Sequence, residues 1–182
     1  MHHQPYSDRR RQVLARLGDG VAVIPTAPER LRNRDAHYPY RFDSYFWYLS
    51  GFPEPEAVIV LVGGKEAKAL LFCREKDEER EVWDGFRYGP QTAAEAFGFC
   101  EAYPIASLEG KLPELIANRG VLWHSLGHDA EWDGRIATAL NRIREQGRSG
   151  IRAPTEIRDL RSLLDDMRLT KDAHEIDCMR RA

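Results

Sequence analysis

Cysteine is scarce in this chain. Cys73, Cys100 and Cys178 are odd in number and far apart, and no paired CxxC or Cys/His spacing suggests zinc. A disulfide framework is therefore excluded, and a reducing, cytoplasmic setting is expected. Long apolar runs are also missing. No window approaches the roughly 18 apolar residues of a membrane span, and MHHQPYSDRRRQ at the N-terminus has no apolar signal core. Neither charge sign dominates, since 27 Lys and Arg face 29 Asp and Glu. Bulk charge thus argues for neither a nucleic-acid nor a membrane partner. Arg9-Arg10-Arg11 and Arg30/Arg32/Arg34 each lie near carboxylates and read as solvated faces, not as phosphate-binding patches. Nucleophile-elbow, P-loop and GxGxxG patterns are absent too.

What the chain has in excess is local aromaticity. Of its 18 aromatic residues, eight fall in the 15 positions from Tyr38 to Phe52, within YPYRFDSYFWYLSGFPEPEAVIVLV. Aromatic side chains bring large buried area and directional packing, so crowding them implies a specific packing unit or surface. At 182 residues, 42% apolar and 31% charged, the chain has the size and composition of one ordinary globular domain.

Apolar periodicity sorts the segments. Ser7 reads as the cap of a helix burying Val13, Leu14 and Leu17 and ending at Gly18. VAVIP, YFWYLS, AVIVLV and ALLFC read as strands, with Gly63-Gly64 turning the last two into a hairpin. Their unbroken apolar character predicts a sheet covered on both faces. REKDEERE (74–81) reads as a solvated loop. Thr92 and Glu95 fit a capping box for a short helix ending near Gly98, and a strand is expected near Ala102 and Tyr103. Ser107 is placed to cap a helix burying Leu112, Leu115 and Ile116, GVLWH is another strand, and Ile136, Leu140 and Ile143 mark a helix. Pro154-Thr155 is expected to open a helix with Ile157, Leu160, Leu164 and Met167 on one stripe. Asp172 and Glu175 form a second capping box, and the helix they begin reaches Ala182 after about two turns. Such a short helix is marginal alone, so it reads as the opening of a further element. The pattern as a whole is α/β, a mixed sheet with helices on both faces.

Few residues suggest chemistry. His124 and His128 are four apart, but Gly127 interrupts them, so a strand end leading into a helix capped by Asp129 is the favoured reading over a metal pair. Trp83, in EVWDGFRYGP, sits in a Gly-rich, loop-like setting that admits either a core anchor or a binding surface.

The segment YPYRFDSYFWYLSGFPEPEAV resembles the N-terminal domain of aminopeptidase P, the Xaa-Pro aminopeptidase branch of the creatinase/prolidase superfamily. RRRQVL, the Trp83 loop, GVLWH, the Arg148-containing turn and RLTKDAHEIDCMRRA extend the likeness in order along the chain. The resemblance implies a six-stranded mixed sheet over residues 1–168, with 169–182 leading into a pita-bread catalytic domain. That domain's two Asp, one His and two Glu bind two metal ions, usually manganese, and none of the five can be assigned here. The fragment alone is thus expected to be inactive, with Mn²⁺ bound only in the domain that follows. The implied substrate is a peptide with proline second, and the implied assembly a homotetramer. Trp83 and Asp35 match residues that reach a neighbouring chain's active-site mouth, and Arg148 matches one near its own chain's cleft. Two other readings stay open: a stand-alone protein-binding module, and the N-terminal domain of a prolidase acting on Xaa-Pro dipeptides.

Overall fold

The computed structural model describes residues 3–182, with Asp84 described by its backbone alone. Helix α1 (Gln4–Leu17) leads into strand β1 (Val21–Pro25), the short hairpin β2 (Leu31–Asn33) and β3 (Ala36–His37), and helix α2 (Ser44–Ser50). Strands β4 (Val58–Val62) and β5 (Lys68–Cys73) follow, then helices α3 (Glu78–Asp84) and α4 (Gly89–Phe97). Next come β6 (Glu101–Pro104), α5 (Leu108–Ile116), β7 (Val121–Trp123) and α6 (Ala130–Glu145). The chain closes with β8 (Glu156–Arg158), α7 (Leu160–Leu169) and α8 (Ala173–Arg181).

Six of the strands form one sheet in the order β6-β5-β4-β1-β7-β8. Strand β4 is antiparallel to both its neighbours, while the β5–β6, β1–β7 and β7–β8 pairs are parallel. Five strands therefore point one way and β4 the other, which is the expected mixed sheet. Successive side chains alternate between its two faces. Ala22, Ile24, Ile59, Leu61, Ala69 and Leu71 meet α1, α2, α4 and α7 on one side. Val21, Val23, Val58, Val60, Leu70 and Phe72 meet α5 and α6 on the other. Burial on both faces explains why these strands read as continuous apolar runs.

Several local expectations are corrected. YFWYLS is helix α2, not a strand: Asp43 accepts the Tyr45 and Phe46 N–H groups at its start, and Gly51 closes it at φ 63°. Helix α1 begins at Gln4, so Ser7 lies inside it and donates its hydroxyl to the His3 carbonyl. Helix α4 likewise starts before Thr92, with Pro90 in its first turn, where a missing N–H costs nothing. Residues 155–158 do not open a helix. Strand β8 pairs there with β7, Ile157 is exposed, and Asp159 caps α7 by accepting the Arg161 N–H. Ser107 stands at the start of α5 but donates to the Pro104 carbonyl instead of capping. Pro113 inside α5 cannot bond the Glu109 carbonyl four residues back. Arg142 of α6 donates to that oxygen at 2.8 Å instead.

The first arginine cluster is corrected as well. Arg9 and Arg10 are 4% and 1% exposed, not solvated. Arg10 donates to the carbonyls of Leu49, Phe97 and Gly98 and lies over the Phe99 ring, closing the C-terminal ends of α2 and α4 onto α1. Arg9 bonds the Tyr48 carbonyl and the Asp172 carboxylate, tying the capping box of α8 to α1. Arg30, Arg32 and Arg34 are exposed as expected. Among the described residues no helix is long and apolar enough to cross a membrane.

Candidate functional site: an exposed rim at one end of the sheet

Because β1 and β5 run in the same direction, the segments leaving their C-terminal ends emerge at the same end of the sheet. The β1 exit carries the β2–β3 hairpin, and the β5 exit carries α3. Both project into solvent.

The hairpin is exposed at every residue from Glu29 to Pro39. Asp35 sits in its turn, beside Arg34, and Leu31 and Tyr38 are 64% and 55% exposed. The Tyr38 N–H closes it by donating to the Arg30 carbonyl at 2.9 Å. Its base is held by Tyr40, whose hydroxyl meets Thr26 Oγ1 at 2.7 Å and donates to the Ala27 carbonyl at 3.1 Å. Burial pushes that phenol above its ordinary pKa, so it remains a neutral hydroxyl. Phe42 then stacks on Trp47 with ring centres 3.9 Å apart, joining the hairpin base to α2.

The charge run 74–81 is not a loop throughout. Asp77 accepts the Arg80 N–H and starts α3, with Glu78, Glu79 and Glu81 in the first turn, where carboxylates favour the positive end of the helix dipole. Trp83 lies on this helix and is 87% exposed, flanked by Val82 at 78% and Phe86 at 61%. The side chain is therefore a surface group and not a core anchor. Glu81 braces the arm by accepting from Lys76 Nζ at 2.8 Å and from the Arg87 N–H at 2.9 Å. The Lys76 hydrogen bond holds the Glu81 carboxyl below the usual carboxylate range. Lys76 also lies 4.4 Å from the centre of the Phe86 ring.

Arg148 is placed elsewhere. It is exposed in the turn after α6, which begins beyond the C-terminal end of β7 and runs back along the sheet. Asn118, just before β7, donates its N–H to the Arg152 carbonyl at 2.8 Å and accepts the Arg152 N–H at 3.0 Å. These bonds fix the segment after Arg148 at the N-terminal end of the strands. The fold thus brings Asp35 and Trp83 to one end and puts Arg148 at the other.

The two histidines line one pocket but differ in burial. His124 is 2% exposed, with Nδ1 3.1 Å from the Val23 carbonyl, whereas His128 is exposed. Asp129 caps α6 through the Glu131 and Trp132 N–H groups. Among the described residues no group of three or more His, Cys, Asp or Glu side chains is arranged to hold a metal ion. One further feature escaped sequence reasoning: the buried ion pair of Glu54 and Arg74, with Nη2 and Oε2 3.5 Å apart, beneath the arm. Its sequence signal is slight, a lone Glu between Pro53 and Pro55 far from Arg74.

Residues 6–123 match the family model described as aminopeptidase P, N-terminal domain. The chain is 36% identical to the Xaa-Pro aminopeptidase of Escherichia coli strain K12, over 98% of this chain and 41% of that protein. It is 33% identical to the Haemophilus influenzae Xaa-Pro aminopeptidase, over 98% and 40%. Among solved structures it superposes on the Pseudomonas aeruginosa aminopeptidase PepP with TM-score 0.94 and 42% identity, covering 98% of this chain and 41% of that one. Proline aminopeptidase P II of Yersinia pestis gives TM-score 0.95 and 38% identity, covering 100% and 42%. The chain therefore spans about two fifths of the length of these relatives. On the family match, the sheet order and the identity across almost its whole length, this chain belongs to the aminopeptidase P N-terminal domain family.

Proposed function

We propose that this chain is the N-terminal, substrate-gating and oligomerisation domain of an Xaa-Pro aminopeptidase. The enzyme hydrolyses the bond before proline when proline is the second residue of a peptide. The observation that carries the reading is Trp83, 87% exposed on an arm that shares its end of the sheet with Asp35. An indole left in water at that cost suits a partner surface, where Trp is over-represented.

In this reading Trp83 and Asp35 complete the mouth of a neighbouring subunit's active site within a homotetramer. The aromatic face favours the apolar proline ring, and the carboxylate orients the peptide's charged terminus. Arg148, at the far end of the sheet, faces the cleft of its own chain. Residues facing two different clefts are expected at opposite ends, which supports the assignment. Residues 169–182 join this domain to the catalytic one. Arg9 orients that junction by holding Asp172 Oδ2 at 2.6 Å from its Nη2 and Glu175 Oε2 at 3.6 Å. Residues 1–168 form the domain proper.

The two manganese ions of the reaction belong to the catalytic domain and take no ligand from this chain. They supply an activated water for attack on the peptide bond when bound. The chain by itself is inactive in this reading; its own residues shape, orient and exclude.

The test is an assay of the complete natural gene product with an Xaa-Pro-Xaa tripeptide, an Xaa-Pro dipeptide and Mn²⁺. Metal-dependent release of the first residue from the tripeptide is the expected result. Cleavage of the dipeptide alone means a prolidase. Metal-independent behaviour with no release of any residue overturns the enzymatic reading and leaves the binding module.

A further inference from the structure

The excursion that presents Trp83 leaves the sheet at Arg74 and rejoins the body at Tyr88. Both ends meet the same side chain. Glu54 is 5% exposed, and its Oε1 accepts the Tyr88 N–H at 2.6 Å while Oε2 lies 3.5 Å from Arg74 Nη2. Arg74 and Arg87 are 8% and 7% exposed, so the base of the arm is a buried charged cluster. Between those ends, α3 contributes no buried side chain among those described. The arm is therefore held mainly near its ends, where the Glu54 contacts are joined by the Tyr88 ring packed on Phe52 and Phe97.

The local sequence suits Glu54 to this task. Pro55 restricts the Glu54 backbone to extended conformations, and Pro53 stiffens the approach. The carboxylate is delivered with little freedom of its own. A buried carboxylate is retained only where it is paired and hydrogen-bonded, and here its partners are the entry and the exit of one excursion. The Glu81–Lys76 brace lies nearer the surface, where such pairs contribute little.

We propose that Glu54 is the positioning residue of the Trp83 arm: one buried carboxylate closes residues 75–87 and sets where the indole projects. The catalytic consequence rests on the function proposed above, whereas the clasp itself does not. Glu54→Gln preserves size and removes the charge. Whichever way the amide is turned, one of its two partners, the Arg74 guanidinium or the Tyr88 N–H, faces an amide donor.

Hydrogen exchange on the 182-residue chain reads the clasp. Glu54→Gln is expected to speed exchange across residues 76–88 at least tenfold, with β1 and β4 unchanged. No acceleration in 76–88, or an equal one in β4, overturns the proposal. If that variant does not fold, Arg74→Gln carries the same test, because it opens one side of the clasp and leaves the Tyr88 bond in place. A wild-type exchange profile over 76–88 in it also overturns the proposal. In the complete gene product, Glu54→Gln should lower kcat/KM for Xaa-Pro tripeptides, and the Glu54→Gln/Trp83→Ala double variant should be no worse than Trp83→Ala alone. Additive losses would show that Glu54 does not act through Trp83. A wild-type gene product without Xaa-Pro release would sink the functional reading, while the exchange result would still decide the clasp.

Discussion

Trp83→Ala separates a surface role from a packing role by size alone. In the free chain the side chain is 87% exposed, so its loss should change stability by no more than about 0.5 kcal/mol. In the proposed assembly the same indole is covered. Burying a Trp removes roughly 150–250 Å² from water, which at about 25 cal/mol per Å² is a gross term of about 4–6 kcal/mol. Ordering and desolvation costs reduce that figure, and Trp truncations at interface centres cost about 2–4 kcal/mol. If the lost contact is made in the transition state, kcat/KM falls about 30- to 1,000-fold. The assay pairs a thermal melt of the 182-residue chain with kcat/KM of the complete gene product on an Xaa-Pro tripeptide and a longer peptide. The expected result is an unchanged melt and a large kinetic loss, greatest on the longer peptide. A melt lowered by several degrees with unchanged kinetics would refute the reasoning, because it would make Trp83 a packing residue.

Three further outcomes follow from the fold. Burial pushes the Cys73 thiol up to about 12, while Cys100 and Cys178 are exposed, so a thiol reagent at pH 8 should titrate two groups in the folded chain and a third only on unfolding. Asp172 is raised by burial but pulled further down by the Glu175 N–H and by Arg9, for a net depression. Its stabilising contribution should therefore be complete above the unfolded carboxyl pKa of about 3.9 and be lost as pH falls below it, and Asp172→Asn should flatten that part of a melting-temperature profile. Phe46, fully buried against the sheet, should cost about 3–5 kcal/mol in a denaturant titration when changed to Ala; a loss under 1 kcal/mol would contradict its place in the core.

The core strands were legible because their apolar runs are dictated by burial on both faces, and the Asp172 and Asp129 caps because capping is local chemistry. The aromatic segment misled for a physical reason. β-propensity measures fit to a half-buried pleated surface, and α2 offers Phe46, Tyr48 and Leu49 a comparable burial. Asp43 before it and Gly51 after it were the signals that decide for helix. Arg9 and Arg10 looked solvated because their partners, backbone carbonyls at Tyr48, Leu49, Phe97 and Gly98, are invisible to charge patterning. Ile157 fits a helical stripe with Leu160 and Leu164, yet the ladder with β7 claims it first. The exposure of Trp83 on α3, and the Glu54–Arg74 pair at the base of that excursion, come only from the fold. Asp35 and Arg148 were named through the resemblance; their placement at opposite ends of the sheet needed the strand order.

Subunit mixing tests the central claim most directly. Trp83→Ala gene product is co-assembled with a variant whose own catalytic domain is inactive but whose Trp83 is intact. If Trp83 serves a neighbouring subunit, mixed oligomers contain sites with an intact catalytic domain and an intact borrowed Trp83. Xaa-Pro tripeptide release should then rise well above that of either variant alone. Activity equal to the simple average of the two variants would contradict the account.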